Sequence, residues 1–193
     1  MTTRDLRPPA PFAPRAALVL VVSAMAGLAR ADGTWVLEKS TLAYHVSHPL
    51  HETEGVSREA RGKAVCHAGQ CDVLVAVPVK SFDSGDSNRD LHMLQVTRGA
   101  QFPLATVRCR VPEAASATPT VAVDLEIEFA GHTHTYRGVA FQQARHGDEV
   151  RITGTIPATL SDFQIEPPTL FTFPTKNEIP IRVDIDARRE AGR

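Results

Sequence analysis

The 193-residue sequence lacks several features that would place it in a specialised class. Its formal net charge is only −1, so it has no basic excess of the kind that nucleic-acid-binding proteins carry. It contains no Gly-x-Ser-x-Gly, no His-Glu-x-x-His and no phosphate-binding loop. Proline and glycine, at 14 and 12 residues, are at ordinary levels for one globular domain and indicate neither disorder nor a coiled coil. These absences favour a binding protein over an enzyme.

Long apolar runs are also scarce, and the clearest one is AALVLVVSAMAGLA at residues 16–29. Three arginines precede it, and the small-x-small sequence Ala29-Arg30-Ala31 follows its core. This order is typical of a secretory signal peptide, here cleaved before Asp32. An uncleaved membrane anchor is the alternative, but the run is shorter than the roughly 20 residues that span a bilayer. We therefore predict a signal peptide at 1–31 and one exported domain, periplasmic or secreted, at 32–193.

Cleavage would change the charge of the protein. It would remove four arginines and one aspartate, which leaves residues 32–193 with a net charge of −4. A mildly acidic exported domain is a poor partner for nucleic acid. No later segment is long and apolar enough to cross a membrane, so we expect no integral membrane protein after cleavage. A domain of this size buries roughly 70% of its unfolded surface and can hold a full core without a metal.

Cysteine is rare, with three residues in the whole sequence. Cys66 and Cys71 flank a four-residue loop between extended segments, and disulfides persist in exported proteins. We expect a disulfide across this hairpin, worth about 2 kcal/mol. A metal or haem clamp is the alternative, although the spacing is neither Cys-x-x-Cys nor Cys-x-x-Cys-His. Cys109 shares a face with Val107 and Val111, which predicts a buried, unpaired thiol.

The strongest pattern that the sequence does contain is alternation of apolar and polar residues. It is uninterrupted over VAVDLEIEF at 121–129, and it recurs over EVRITGTI at 149–156 and EIPIRVDIDA at 178–187. A period of two predicts strands with one apolar face and one polar face. Turn sequences at Gly131-His132 and Gly147-Asp148 separate these runs at hairpin distances, which indicates antiparallel neighbours.

Two further segments complete the secondary-structure prediction. The run DVLVAVPV at 72–79 is apolar on both faces, so we expect a central strand or one whose outer face lies under a helix. The only segment with a helical pattern follows it. Ser87 and Asp90 fit a capping box, and apolar residues recur at helical spacing up to Gly99, a suitable C-terminal stop.

One fold class accommodates these elements best. Seven or eight one-sided strands and one short helix must bury a continuous apolar face, in either a closed barrel or a two-sheet sandwich. A closed barrel leaves no exposed strand edge, and eight strands can enclose a small cavity. We therefore predict an all-β, antiparallel, eight-stranded barrel with one short helix.

Several segments together resemble the YceI-like family of exported lipocalin-like proteins. The resemblance is strongest at VPVKSFDSG, residues 77–85, followed by Arg89-Asp90 and His92. It continues to Leu160-Ser161-Asp162-Phe163 and the last strand, and so covers nearly all of 32–193. The resemblance implies a lipocalin-like barrel whose apolar interior holds a long-chain amphiphile, typically a polyisoprenoid or an isoprenoid quinone.

The apolar strand faces are the predicted wall of this ligand site, and the alternative is that they simply pack on one another. Each CH₂ buried by a hydrocarbon ligand would contribute about 0.8 kcal/mol. Arg89 and His92 are the predicted polar contacts, with Arg89 fixing the polar head of the ligand. The alternative is that Arg89 and Asp90 form an ion pair or a cap that anchors the helix over one end of the barrel. The predicted lining residues are Val121, Val123, Leu125, Ile127, Phe129, Ile152, Ile156, Ile179, Ile181, Val183 and Ile185.

The histidines suggest a second function, periplasmic binding of a divalent metal. Imidazole is a ligand for Zn, Cu and Ni, and the candidate ligands fall in two groups, His45, His48 and His51, and His132 and His134. However, His45 and His48 would point to opposite faces of one strand. Solvated or hydrogen-bonded histidines are the plainer expectation. We therefore predict a non-catalytic lipid-binding protein with no metal and no cofactor other than a bound lipid.

Overall fold

The computed structural model describes residues 33–170 and 173–190. The predicted signal peptide at 1–31 and its cleavage site lie outside the described residues.

Strands dominate the described part of the chain, which has eleven strands, one α-helix and three 3₁₀ turns. The 3₁₀ turns are Val79–Ser81, Glu113–Ala117 and Ser161–Phe163. The other elements are β1 (Gly33–His48), β2 (His51–Ser57), β3 (Arg61–His67), β4 (Gln70–Pro78), α1 (Ser87–Val96), β5 (Leu104–Pro112), β6 (Thr120–Phe129), β7 (His132–His146), β8 (Glu149–Ile156), β9 (Thr169–Leu170), β10 (Phe173–Pro174) and β11 (Ile181–Arg189).

Eight strands close into an antiparallel barrel. Neighbours follow one another in the order β1, β3, β4, β5, β6, β7, β8 and β11, and β11 returns to pair with β1. Strand β2 pairs with the second half of β1, beside the position that β3 takes against its first half. Every barrel strand therefore has a neighbour on both sides. The predicted all-β, eight-stranded antiparallel barrel with a single helix is confirmed.

The barrel has two distinct ends. At the helix end, α1 connects the end of β4 to the start of β5. At the disulfide end, the hairpin of β3 and β4 is closed by the bond between Cys66 and Cys71, which are direct partners across the two strands. The predicted disulfide is confirmed. Cys109 on β5 is a free cysteine, as expected, but it is half-buried and not fully buried.

The helix begins at Ser87, but its N-terminal cap is Asp86. Oδ1 of Asp86 accepts hydrogen bonds from the backbone N–H groups of Asn88 (2.9 Å) and Arg89 (3.2 Å). Ser87 is the first helical residue, so the capping box predicted from Ser87 and Asp90 is wrong. The physical reason is that Asp86, which has extended backbone angles, already satisfies these N–H groups.

The C-terminal end of α1 also differs from the prediction. The chain turns at Arg98, which takes the left-handed conformation (φ 54°), whereas Gly99 has no positive φ. The N–H of Gly99 still bonds the carbonyl of Leu94 (2.8 Å) and so satisfies a carbonyl of the last turn.

Strand β4 is a central strand, paired with β3 and β5 along its length. Its inward residues are valines, but its outward residue Leu74 is 43% exposed. The alternative expectation, that the helix covers this outer face, is wrong because α1 lies over the end of the barrel. The apolar outer face of β4 is therefore open to solvent.

Two bulges shift which residues face the interior. In β1 the register with β11 skips Glu38, so the inward residues change from Trp35 and Leu37 to Leu42 and the alternate residues after it. In β7 an extra residue lies opposite Asp124, whose Oδ1 accepts a hydrogen bond from the N–H of Gly138 (2.7 Å). Gly138 has a φ of 62°, which glycine adopts without strain.

Candidate functional site

The side chains of the barrel do not fill its interior. They surround a cavity of about 710 Å³, within the roughly 300–1,000 Å³ that is typical of small-molecule sites. Valine, isoleucine, leucine and phenylalanine side chains from the barrel strands supply most of its wall. Such a wall offers contact to hydrocarbon and few partners to a polar molecule.

All of the apolar residues predicted from the alternating pattern lie at this cavity, as do Arg89 and His92 of the helix. Contact of these residues with a ligand stays a prediction. Strand β6 contributes its whole inward face, and β8, β11 and the segment before β11 contribute the remainder. The residues in question are Val121, Val123, Leu125, Ile127, Phe129, Ile152, Ile156, Ile179, Ile181, Val183 and Ile185.

Sequence reasoning missed the part of the wall that β1, β4 and β5 supply. The alternation in LAYHVSH and ATVRCRV contained a weak signal for two of these strands, whereas β4 is apolar on both faces and gave none. The additional lining residues include Leu42, Val46, Val73, Val75, Val77, Ala105, Val107, Cys109 and Val111.

Polar side chains gather where α1 covers the helix end. Arg89 donates from Nε to Oγ of Ser84 (3.1 Å) and from Nη1 to Oγ1 of Thr53 (3.3 Å). Asp90 accepts from the same Ser84, through Oγ (2.6 Å) and the backbone N–H (3.1 Å). Both residues therefore anchor the helix start, as the alternative expected, and they do so through Ser84 and not through a direct ion pair with each other.

The segment that precedes the helix fixes this junction to the barrel. Oγ of Ser81 donates to the carbonyl of Pro78 (2.6 Å) and lies 2.6 Å from Oγ of the fully buried Ser57. Because the proton of Ser81 is committed to Pro78, Ser57 is the donor in the second bond. The ring of Phe82 packs on Tyr44, with 5.6 Å between ring centroids.

Tyr44 lies at the helix end of the cavity wall. Its ring covers Gly55 on the neighbouring strand so closely that a Cβ there would collide with the ring. Burial raises the pKa of Tyr44, and the negative charge of Asp90 raises it further against the opposing effect of Arg89. The phenol is therefore a neutral hydrogen-bond donor at neutral pH.

The small hairpin of β9 and β10 is a second cover over the helix end, and His48 binds it to the end of β1. Its Nε2 donates to the carbonyl of Phe173 (3.0 Å), and its Nδ1 accepts from the backbone N–H of Leu50 (3.2 Å). The buried ring also stacks on His51, with 5.0 Å between centroids. These two bonds match the tautomer of His48 that carries a proton on Nε2. The side chain of His48 therefore joins the turn after β1 to the hairpin of β9 and β10.

At the disulfide end, the 3₁₀ turn Glu113–Ala117 covers the barrel. Trp35 is buried against the disulfide and Val150, and the guanidinium of Arg145 lies 4.9 Å from the centre of its ring. Arg145 also donates from Nη1 to Oγ of Ser116 (3.0 Å), in the 3₁₀ turn Glu113–Ala117. Glu113 of the same turn pairs with Arg189 at 3.3 Å. The turn is thereby held across this end of the barrel.

Three histidines of the alternative metal site, His45, His48 and His134, have other partners. His45 faces outward and pairs with Glu52 at 2.5 Å, whereas His48 faces the cavity, as the alternation predicted. His134 lies 3.8 Å from Asp162 and packs on Tyr136. Within residues 33–170 and 173–190, no three His, Cys, Asp or Glu side chains come together as a group that could hold a metal ion.

The YceI-like domain model matches residues 35–187, most of the chain. This protein belongs to the YceI-like family. A polyisoprenoid-binding domain from Saccharophagus degradans, implicated in plant cell wall breakdown, is similar with a TM-score of 0.68 and 15% identity, over 81% of this chain and 98% of that one. Burkholderia cenocepacia BcnA is similar with a TM-score of 0.64 and 18% identity, over 76% of this chain and 95% of that one.

At these identities the solved structures establish a shared fold for this YceI-like protein. No curated protein sequence matches it. In the part of the chain that the structure describes, no helix has the length and apolar character needed to span a membrane.

Proposed function

We propose that this YceI-like protein binds a long-chain amphiphile of the polyisoprenoid or isoprenoid-quinone type in its barrel and performs no catalysis. The observation that carries the proposal is the cavity of about 710 Å³ with an apolar wall. The protein's own side chains leave this apolar wall uncovered. A bound hydrocarbon chain would therefore remove more apolar surface from water than a polar molecule would. The ligand of the similar Saccharophagus degradans domain, described as a polyisoprenoid, supports this chemical class.

The distribution of polar groups around the cavity favours one orientation of the bound ligand. Arg89, Tyr44 and His92 border the cavity at the helix end, where the neutral phenol and the guanidinium can donate hydrogen bonds to a polar head. At the other end Trp35 and the disulfide offer contact to hydrocarbon. The polar residues Glu113 and Ser116 also border the cavity there, but they are already paired with Arg189 and Arg145. We therefore orient the head group towards α1 and the tail towards Trp35.

The energetics favour a chain of several repeating units. Each buried CH₂ contributes about 0.8 kcal/mol, so a five-carbon unit supplies at most about 4 kcal/mol. Association itself costs an estimated 4–15 kcal/mol or more. One unit would therefore not suffice for stable binding, whereas several units would.

The state of Cys109 supports a binding role over a catalytic one. Its thiol lines the cavity, and burial raises its pKa to about 11. A cysteine nucleophile requires a lowered pKa, because the thiolate is the reactive form. This thiol therefore stays protonated at neutral pH.

Export is part of the proposal. The charged and apolar pattern of residues 1–31 supports it, and a disulfide between Cys66 and Cys71 is typical of an oxidising compartment. We expect the protein recovered from the periplasm or medium of its native host to begin at Asp32. Mass spectrometry of the intact protein measures this, and a chain that retains residues 1–31 would contradict it.

The ligand is tested on protein purified from the native host without detergent. Half of one sample is extracted with organic solvent for lipid mass spectrometry, and the other half is assayed for Zn, Cu and Ni. We expect a long-chain isoprenoid lipid in near-equimolar amount and no stoichiometric metal. An empty extract with equimolar metal would instead support the histidine site and overturn the lipid proposal.

A further inference from the structure

The barrel wall is unevenly paired between β5 and β6. These strands share register only between residues 106–108 and 126–128 among those described, whereas β4 pairs with β5 over its whole length. The remainder of β5, residues 109–112, and the first part of β6, residues 120–125, face one another without forming a ladder. We call this unpaired stretch the seam.

Two local features hold the seam apart. The chain joins β5 to β6 through the 3₁₀ turn Glu113–Ala117 across the disulfide end, where a tight hairpin would have brought the strands together. On the far side of β6, Asp124 binds the N–H of Gly138 in the β7 bulge. This bond keeps the first half of β6 against β7.

An outer cleft of about 440 Å³ lies over the seam. Leu74 and Val73 give it an apolar surface, and Thr135 borders it on β7. Val73 and Cys109 line both this cleft and the inner cavity. The wall between the two spaces is therefore one residue thick at this place.

Access through either end of the barrel requires the loss of specific bonds. The disulfide end is held by the contacts of Arg145 with Trp35 and Ser116, and the helix end by those of Arg89 and His48. Parting two fully paired strands would break backbone hydrogen bonds worth about 1 kcal/mol each. Parting the seam breaks no ladder bond, because none is formed there.

We propose that the seam is a side portal through which a linear hydrocarbon chain enters and leaves the cavity. This inference rests on the proposed function and adds a route to it. The exposed ion pairs of Arg110 with Asp72 (2.6 Å) and of Arg108 with Glu126 (3.8 Å) border the cleft. The approach between these charged side chains would admit a narrow hydrocarbon chain more readily than a bulky ring.

The test measures the rates of binding in a matched pair of variants. Thr135→Phe places a ring in the cleft, and Thr133→Phe places the same ring on the same exposed face of β7, away from the cleft. The probe is parinaric acid, a linear fluorescent polyene fatty acid without a ring, followed in stopped flow by energy transfer from Trp35, the single tryptophan of the chain. Circular dichroism verifies that each variant is folded.

A portal sets the free-energy barrier for entry and exit of the ligand and leaves the free energy of the bound state unchanged. We therefore expect Thr135→Phe to slow association and dissociation by the same factor of several-fold, with an unchanged Kd, and Thr133→Phe to match the unsubstituted protein. Arg110→Ala, which removes bulk from the cleft, should accelerate both rates. Unchanged rates in Thr135→Phe and Arg110→Ala would overturn the portal while leaving lipid binding intact. Absence of probe and native-lipid binding in the unsubstituted protein would instead overturn the proposed function, and the portal with it.

Discussion

At the scale of single residues, the cysteines have two different chemical states. Cys66 and Cys71 are bonded to each other at the tip of a hairpin, whereas Cys109 is a free thiol on the cavity wall. We expect a thiol reagent to modify Cys109 alone when the protein purified from its native host is denatured without reduction. Mass spectrometry counts the added groups, and a sample reduced before labelling provides the control with three. Three labels without prior reduction would contradict the disulfide.

Cys109 should also give stability a specific pH dependence. Burial raises its pKa from 9.0 to about 11, so the folded state retains the proton more tightly than the unfolded state. The stabilisation is complete below about pH 9 and is lost as the pH rises towards 11. We expect the free energy of unfolding to fall between these pH values by at most about 3 kcal/mol more in the unsubstituted protein than in Cys109→Ala. Urea titrations at each pH measure the difference, and parallel curves would disprove it.

At the scale of elements, the start of α1 provides a direct comparison of two neighbouring residues. Asp86 accepts two backbone hydrogen bonds, and Ser87 makes no capping bond. We expect Asp86→Ala to lower the free energy of unfolding by about 1 kcal/mol. Ser87→Ala is the matched control and should change it little, since it removes no cap. Equal effects of the two substitutions in urea denaturation would show that the cap is not Asp86.

How much of each element could be predicted depended on how local its determinants are. The inward face of β6 followed directly from strict alternation, because a strand with one wet face fixes its own orientation. The inward residues of β1 could not be obtained in the same way, since the bulge at Glu38 depends on the register with β11. The choice of Asp86 over Ser87 depends on backbone angles that the residue types alone do not specify.

At the scale of the whole molecule, a shared apolar interior followed from the sequence, but the cavity within it did not. Eight one-sided strands require a shared interior, whereas the space left inside depends on the volumes of side chains from all of them together. The seam is equally non-local. It depends on a turn at one end of the barrel and a bulge in a different strand, and neither β5 nor β6 carries a signal for it.

Occupancy of the cavity should stabilise the entire barrel. A ligand that binds only the folded state at one hundred times its Kd adds about 2.7 kcal/mol. We therefore expect thermal unfolding of the lipid-loaded protein at a higher temperature than that of the same protein after delipidation and refolding, by differential scanning calorimetry. The increase in Tm caused by the lipid should be smaller in Val183→Phe, which fills part of the cavity. It should be unchanged in Val65→Phe, which lies on the exposed outer face. An equal shift in both variants would contradict binding inside the barrel.

The pairing of the last barrel strand with the first places residues 33 and 190 side by side. The backbone N–H of Glu190 bonds the carbonyl of Thr34 (2.8 Å), at the end of the barrel that Trp35 and the disulfide close. A surface tether or a fused domain attached at either position would therefore leave from the same pole of the molecule. Protein immobilised in this way would present α1 and the opposite pole to the solution, and a short peptide joining the two positions would permit new chain ends elsewhere.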